Sequence, residues 1–130
     1  MDEEELLHRL NRHYGSQYRP EGRLTLKKEK LFLYTGEDTK LKTDWAGLHI
    51  ANADLSLTIE GAQKLGTTAA KNAVEIAKEE AEAYFRGEDL NGPEGNGPLI
   101  LRTKDRIIGP GRLEDGKIRN ILPASRKTRY

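Results

Sequence analysis

The sequence predicts an α+β fold with a small mixed sheet or barrel, on three observations. Short runs alternate apolar and polar residues, as at Arg23-Leu24-Thr25-Leu26-Lys27 and Leu48-His49-Ile50. Helical spacing governs two separate stretches, Glu3 to Tyr14 and Lys78 to Arg86. Asp115-Gly116 between Gly111-Arg112-Leu113 and Lys117-Ile118-Arg119-Asn120 is the strongest hairpin signal in the chain, because a tight hairpin turn wants positive φ at both positions.

The elements follow in order. Leu6, Leu7, Leu10 and Tyr14 line one face of the first helix, with acids in its first turn, Arg12 and His13 near its end, and Gly15 as terminator. Arg23–Lys27 and Lys30–Tyr34 read as strands, Gly36–Thr39 as a turn and Leu41–Thr43 as a third strand. Residues 1–44 thus form a helix plus a small meander, and a second unit covers 45–130. It opens on a strand around Leu48–Ile50. A short helix over Thr58–Leu65 follows, capped by Ser56 or Thr58 and stopped by Gly66. Asn72–Ile76 fits a strand or the start of a helix, since Val74 and Ile76 alternate while Ala69, Ala70 and Ala73 favour helix. Ala81, Tyr84 and Phe85 stripe the next helix, which Gly87 closes. Asn91–Pro98 is a breaker-rich loop. Strands at Leu99–Leu101 and Arg106–Gly109 flank a turn at Lys104-Asp105, and Pro123 ends the last strand. Gly109-Pro110-Gly111 reads as a kink or bulge, or as backbone that approaches a ligand phosphate.

With 35% hydrophobic residues in patterned runs, the 130 residues can bury a modest core, which argues against disorder. Cysteine is absent, so disulfides, thiolate metal sites and cysteine nucleophiles are excluded together. No apolar run approaches the roughly 20 residues of a membrane helix. The acidic start, Asp2 to Glu5, is unlike a secretory signal, and a soluble cytoplasmic protein is expected. Net charge is only +1 but it is polarised: from Leu99 to Tyr130 nine Lys and Arg face three acids, a net of +6, against −5 in the rest. Such a distribution suits a cationic face for polyanions, or equally a surface laced with ion pairs.

Most chemistries lack their residues. His8, His13 and His49 are the only imidazoles, and the spacing of His8 and His13 turns them to different sides of a helix. No serine sits in a Gly-x-Ser-x-Gly elbow. Gly92–Gly97 lacks the Lys-Ser/Thr of a phosphate-binding loop. No metal or cofactor is expected. Glu75, Glu79, Glu80 and Glu82 read as a solvated helix face.

The positive signal is the C-terminal ribbon. Lys117 and Arg119 share one strand face, with Ile118 on the other. Arg112 lies beside the same hairpin, and Arg126, Lys127 and Arg129 follow. Guanidinium groups fork onto phosphate oxygens and stack on bases, and a rigid hairpin loses little entropy on binding. Asn120 can read a base edge or cap the turn before Pro123. The competing structural explanation is an edge strand guarded by Lys and Arg.

Two motifs carry a family resemblance. Tyr84-Phe85-Arg86-Gly87-Glu88-Asp89-Leu90 resembles a Tyr-Leu-Arg-Gly-Glu-Asp-Leu helix end. Gly109-Pro110-Gly111-Arg112-Leu113, Gly116-Lys117-Ile118-Arg119-Asn120, Leu122-Pro123 and Arg126 resemble a Gly-x-Gly-Lys…Gly-x-Leu-Lys-Asn…Pro…Arg pattern. Both occur in this order in the C-terminal PUA-like domain of the Nol/Nop/Sun (Fmu) group of RNA cytosine-5 methyltransferases and in its stand-alone ribosome-biogenesis relatives. The resemblance spans about residues 45–126, with Trp45–Ile50 and Leu65-Gly66 in the corresponding places. Pro110 departs from the pattern, and Arg112 and Arg119 stand where it has lysines.

The resemblance implies a PUA-like pseudo-barrel preceded by the small helix-plus-meander lobe, and binding to structured RNA: rRNA, or alternatively tRNA. Methyl transfer is not expected, because those enzymes attack cytosine with cysteine thiolates. The expected function is that of an accessory factor in rRNA maturation or modification, alongside an RNA-modifying enzyme or assembly factor. Its expected RNA surface is Arg112, Lys117, Arg119 and Asn120, with phosphate contacts from Arg126, Lys127 and Arg129 and a border at Arg86. The rival readings are a protein-interaction module using the acidic helix and Trp45, and a small hydrolase or transferase built on carboxylates.

Overall fold

The computed structural model describes residues 1–35 and 47–126. The strand expected at Leu41–Thr43, the division at residues 44 and 45, Trp45, Lys127 and Arg129 lie outside the described residues.

Helix α1 (Glu3–Tyr14) begins where the Asp2 carboxylate accepts from the Glu5 N–H at 2.8 Å. It ends at Gly15, whose φ of 58° supplies the left-handed turn. Leu6, Leu10 and Tyr14 are fully buried on its inner face. Strands β1 (Arg23–Lys27) and β2 (Lys30–Tyr34) form an antiparallel hairpin. Its two turn residues, Lys28 and Glu29, hold φ of 49° and 65°, a primed-type turn built without glycine. Strand β3 (Leu48–Asn52) adds to β2 and completes a three-stranded sheet, with a register shift between Leu31 and Phe32.

Helix α2 (Ile59–Leu65) is capped by Thr58, whose hydroxyl accepts from Gly61 N–H at 3.1 Å. Gly61 has to be glycine, because a Cβ there would stand 1.8 Å from the Ile50 carbonyl oxygen. Strand β4 (Ala73–Glu75) settles the Asn72–Ile76 ambiguity: it pairs in parallel with β6 (Asn96–Arg102). Helix α3 (Lys78–Phe85) ends at Gly87, φ 96°, and leads into β5 (Leu90–Asn91). Strands β7 (Ile107–Glu114) and β8 (Lys117–Asn120) complete a five-stranded mixed sheet of order β4-β6-β7-β8-β5. This sheet is a curled half-barrel, so the α+β pseudo-barrel expectation holds.

One expectation is corrected and another is located. The breaker-rich loop is shorter than Asn91–Pro98, because Asn96, Gly97 and Pro98 already pair with Glu114, Leu113 and Arg112. The bulge expected at Gly109-Pro110-Gly111 falls at its edge: Gly109, Pro110 and Gly111 pair one for one with Leu101, Ile100 and Leu99, and β7 carries one extra residue, Ile108, just before them, opposite the Leu101/Arg102 step of β6. Pro110 is tolerated because pairing with β8 begins only at Gly111, and its carbonyl accepts from the Tyr84 hydroxyl at 2.5 Å. Its missing N–H therefore breaks no ladder bond. The flanking glycines admit close packing, since a Cβ on either would come within 2.9 Å of Tyr84 or Ile118.

Strand β6 joins the two halves of the core. Ile100 packs with Leu6, Leu10, Leu31, Ile50 and Leu65 on one side. Leu99 and Leu101 pack with Tyr84, Ile108 and Ile118 on the other. A strand buried on both faces reads as an unbroken apolar run, and Leu99-Ile100-Leu101 is one.

Candidate nucleic-acid interface

The β7–β8 hairpin turns on Asp115 and Gly116, with φ of 43° and 87°. Leu113 and Ile118 pair across the strands and face the core. The alternating pairs Arg112↔Arg119 and Glu114↔Lys117 therefore face away from it. Arg112, Lys117 and Arg119 share one face, as their spacing predicts, but that face is not a bare cationic platform.

Each arginine stands beside a carboxylate. Arg119 donates to Asp89 at 2.9 Å and to Glu114 at 3.1 Å. Arg112 donates to Asp54 at 3.0 Å, Arg126 to Glu60 at 3.0 Å and Arg86 to Glu88 at 2.9 Å. Lys117 is exposed and helps hold Asp89 ionised through its charge. The polarisation seen along the sequence is thus largely offset in space, because acids from distant segments are brought to these bases.

The electrostatics agree. The Asp89 carboxyl is lowered first by the Asn120 N–H donating to it at 2.8 Å and then by Arg119. Arg119 is raised by Asp89 and Glu114. Burial raises Asp54 and Glu60, but Ser56 with Arg112 and Arg126 respectively outweigh it, so both sit below their ordinary values. All of these pairs are solvent-accessible. Arg119 is 50% exposed, and pairs of that kind contribute about 0–1 kcal/mol each.

Asn120 is occupied by the fold. Its Nδ2 donates to the Tyr84 carbonyl at 2.7 Å and to Glu88 at 3.1 Å, while its Oδ1 accepts from Leu122 N–H at 3.0 Å. It ties the end of α3 to β8 and forms the cap before Pro123.

The basic residues fall into two groups. Lys117, Arg119, Asn120 and Arg86 gather where α3 ends against β8 and β5. Arg112 and Arg126 instead line a groove of about 630 Å³ with Leu48, Asp54 and Glu60. No spacing signal announces this groove, because Asp54 and Glu60 are 58 and 66 residues from the arginines they hold.

Among the described residues no group of three or more His, Asp or Glu could hold a metal, and no helix is long and apolar enough to cross a membrane. His13 is fixed by the Pro98 carbonyl at 2.8 Å, and His8 lies 2.9 Å from Arg12.

Comparison with known proteins places a likeness over this part of the chain. Residues 71–127 match the family model described as the Methyltransferase RsmF PUA domain. The chain is also similar to the ribosomal RNA small subunit methyltransferase F of Aeromonas hydrophila subsp. hydrophila, at 30% identity over 114 residues. That match covers 80% of this chain and 24% of the relative's length.

Proposed function

We propose that this chain, which carries a PUA domain of the rRNA methyltransferase F kind over residues 71–127, binds RNA and serves rRNA maturation or modification. The family match carries the reading: it covers β4 to the 3₁₀ turn at Ala124–Arg126, the segment that holds Arg86, Arg112, Lys117, Arg119 and Arg126. Exposed ion pairs do not argue against it. A phosphate oxygen accepts the same guanidinium fork as a carboxylate, and exchanging one for the other releases the counterions condensed on the nucleic acid.

The chain acts as an accessory and not as the methyltransferase. Its 130 residues include no cysteine thiolate, and the likeness to the methyltransferase extends over 24% of that protein. An RNA-modifying enzyme or an assembly factor is its partner, in the cytoplasm. Residues 45–130 form the RNA-binding part and 1–44 its supporting lobe. Arg112, Lys117, Arg119 and Arg126 make the contacts, Lys127 and Arg129 extend them, Arg86 borders them, and Asn120 positions β8.

The offset charge of this face favours a second reading, a protein-interaction module in a ribosome-assembly complex. One experiment separates the two. The full chain is titrated with small-subunit rRNA fragments over a salt series. The first reading expects affinity to fall with salt at a log–log slope of about −0.7 to −0.9 per phosphate contacted. It also expects K117A/R119A to weaken binding while the unfolding transition stays in place. Absence of RNA binding at low salt overturns it and leaves the protein-interaction module.

A further inference from the structure

The groove that holds Arg112 and Arg126 lies between β3, the turn after it, the start of α2, the middle of β7 and the segment that follows β8. Its volume, about 630 Å³, falls within the range of roughly 300–1,000 Å³ typical of ligand clefts. Leu48, Ile59, Ile121 and Pro123 give it apolar walls. Leu48, 39% exposed, is one of two large apolar side chains that stand in solvent among the described residues.

A set of hydrogen bonds that converges on Asp54 runs along its polar side. His49 Nε2 donates to Asn52 Oδ1 at 2.8 Å, and Asn52 Nδ2 donates to Ser56 Oγ at 3.0 Å. Ser56 Oγ donates to Asp54 Oδ1 at 2.5 Å, and Arg112 Nη2 donates to Asp54 Oδ2 at 3.0 Å. The Ala51 carbonyl also faces His49 Nε2, at 3.1 Å. With acceptors on both sides, Nε2 acts as a donor in this chain. Across the groove Arg126 is held by Glu60 at 3.0 Å. Each guanidinium in the groove is thus occupied by one carboxylate.

From this arrangement the geometry points to the groove as the seat of a single unpaired nucleotide of a bound RNA strand. Its base lies between the apolar walls, and its flanking phosphates replace Asp54 and Glu60 on Arg112 and Arg126. The inference rests on the RNA-binding reading above and goes further in naming the occupant and the two acids that compete with it. An unstacked base has apolar faces and a hydrogen-bonding edge, which matches apolar walls beside a polar chain. An acidic peptide would offer only the carboxylates already present. The ion pairs are solvated, with Arg112 and Asp54 34% and 59% exposed and Arg126 and Glu60 45% and 35%, so exchange does not strand a buried charge. Asp54 keeps two bonds to Ser56, from its N–H and its hydroxyl, so the acid stays in place after Arg112 leaves it and opposes the incoming phosphate.

The test uses the full chain, a labelled single-stranded oligoribonucleotide and the same sequence closed into a perfect duplex. D54N/E60Q is expected to tighten single-strand binding about fivefold, the scale of two exposed ion pairs released. R112A/R126A is expected to lower the salt slope by about 0.7 per phosphate lost. L48A is expected to weaken the single strand and leave the duplex unchanged; since Leu48 is exposed, its loss does not disturb the core. If the wild type binds the single strand but all three variants match it in affinity and slope, the groove is not the seat, and the RNA-binding reading stands. If the wild type binds neither RNA, that reading falls and the inference with it.

Discussion

Arg112 Nη2 lies 3.0 Å from Asp54 Oδ2, joining β7 to the turn after β3 across 58 residues of chain. The pair ties the three-stranded sheet to the five-stranded one beside the groove. Its acid is itself anchored by Ser56, which is buried. Ser56 thus holds the Asp54 carboxylate in place whether or not Arg112 is paired to it.

Tyr84→Phe tests the support beneath that strand. The Tyr84 hydroxyl is buried and donates to the Pro110 carbonyl at 2.5 Å. Phenylalanine fills the same space but leaves the carbonyl without its partner. The expected loss is about 1–3 kcal/mol, the cost of an unsatisfied buried acceptor. Urea unfolding at neutral pH measures it, with an unchanged m-value showing that the native state remains compact.

Gly61→Ala tests the seat of α2 on β3. The added Cβ would meet the Ile50 carbonyl oxygen at 1.8 Å, and backbone cannot rotate away as a side chain can. The expected cost is about 3 kcal/mol or more, above the usual range for overpacking. Thermal unfolding reports it, and an unaltered Tm would show that α2 can slide over β3.

The pH dependence of stability follows from Glu21. Its carboxylate accepts from Lys64 and from the Tyr18 hydroxyl, and these bonds take its pKa from an ordinary 4.5 to about 2. A carboxyl depressed in the folded state stabilises fully above its unfolded pKa, and the contribution is lost as pH falls through the folded one. Because Glu21 is 49% exposed, solvent screening limits the effect to about 1 kcal/mol. Glu21→Gln should therefore be less stable than wild type at pH 7, and the gap should close between pH 4.5 and about 2. Denaturant midpoints measured across that window check it, and a gap that widens in acid would contradict it.

What the sequence made legible was local. The apolar spacing of α1, the Asp115-Gly116 turn and the sharing of one face by Arg112, Lys117 and Arg119 depend on residues near one another, and the structure has each of them. Ala73–Glu75 was ambiguous because a three-residue strand becomes a strand only through its parallel partner, β6. Gly109-Pro110-Gly111 signalled an irregularity that falls one residue earlier, at Ile108, whereas the contacts with Tyr84 and Ile118 that require small residues there are tertiary and left no local sign. The carboxylates beside the arginines were invisible for the same reason. Asp54, Glu60 and Asp89 reach Arg112, Arg126 and Arg119 only through tertiary folding, so a count of charge along the chain overstated the positive field.

Leu10→Ala tests whether the two halves of the core unfold together. Leu10 is fully buried on α1, in the cluster that includes Ile100 of β6. Its neighbours on β6, Leu99 and Leu101, belong to the opposite cluster with Tyr84 and Ile118. Truncation should cost about 2–5 kcal/mol through lost burial and a cavity. Because β6 carries the strain to both sides, amide protons of β7 and β8 should lose protection by the same free energy as those of β2 and β3. If protection falls only in β1 to β3 and α1, the first helix and the three-stranded sheet open by themselves and β6 does not couple the two clusters.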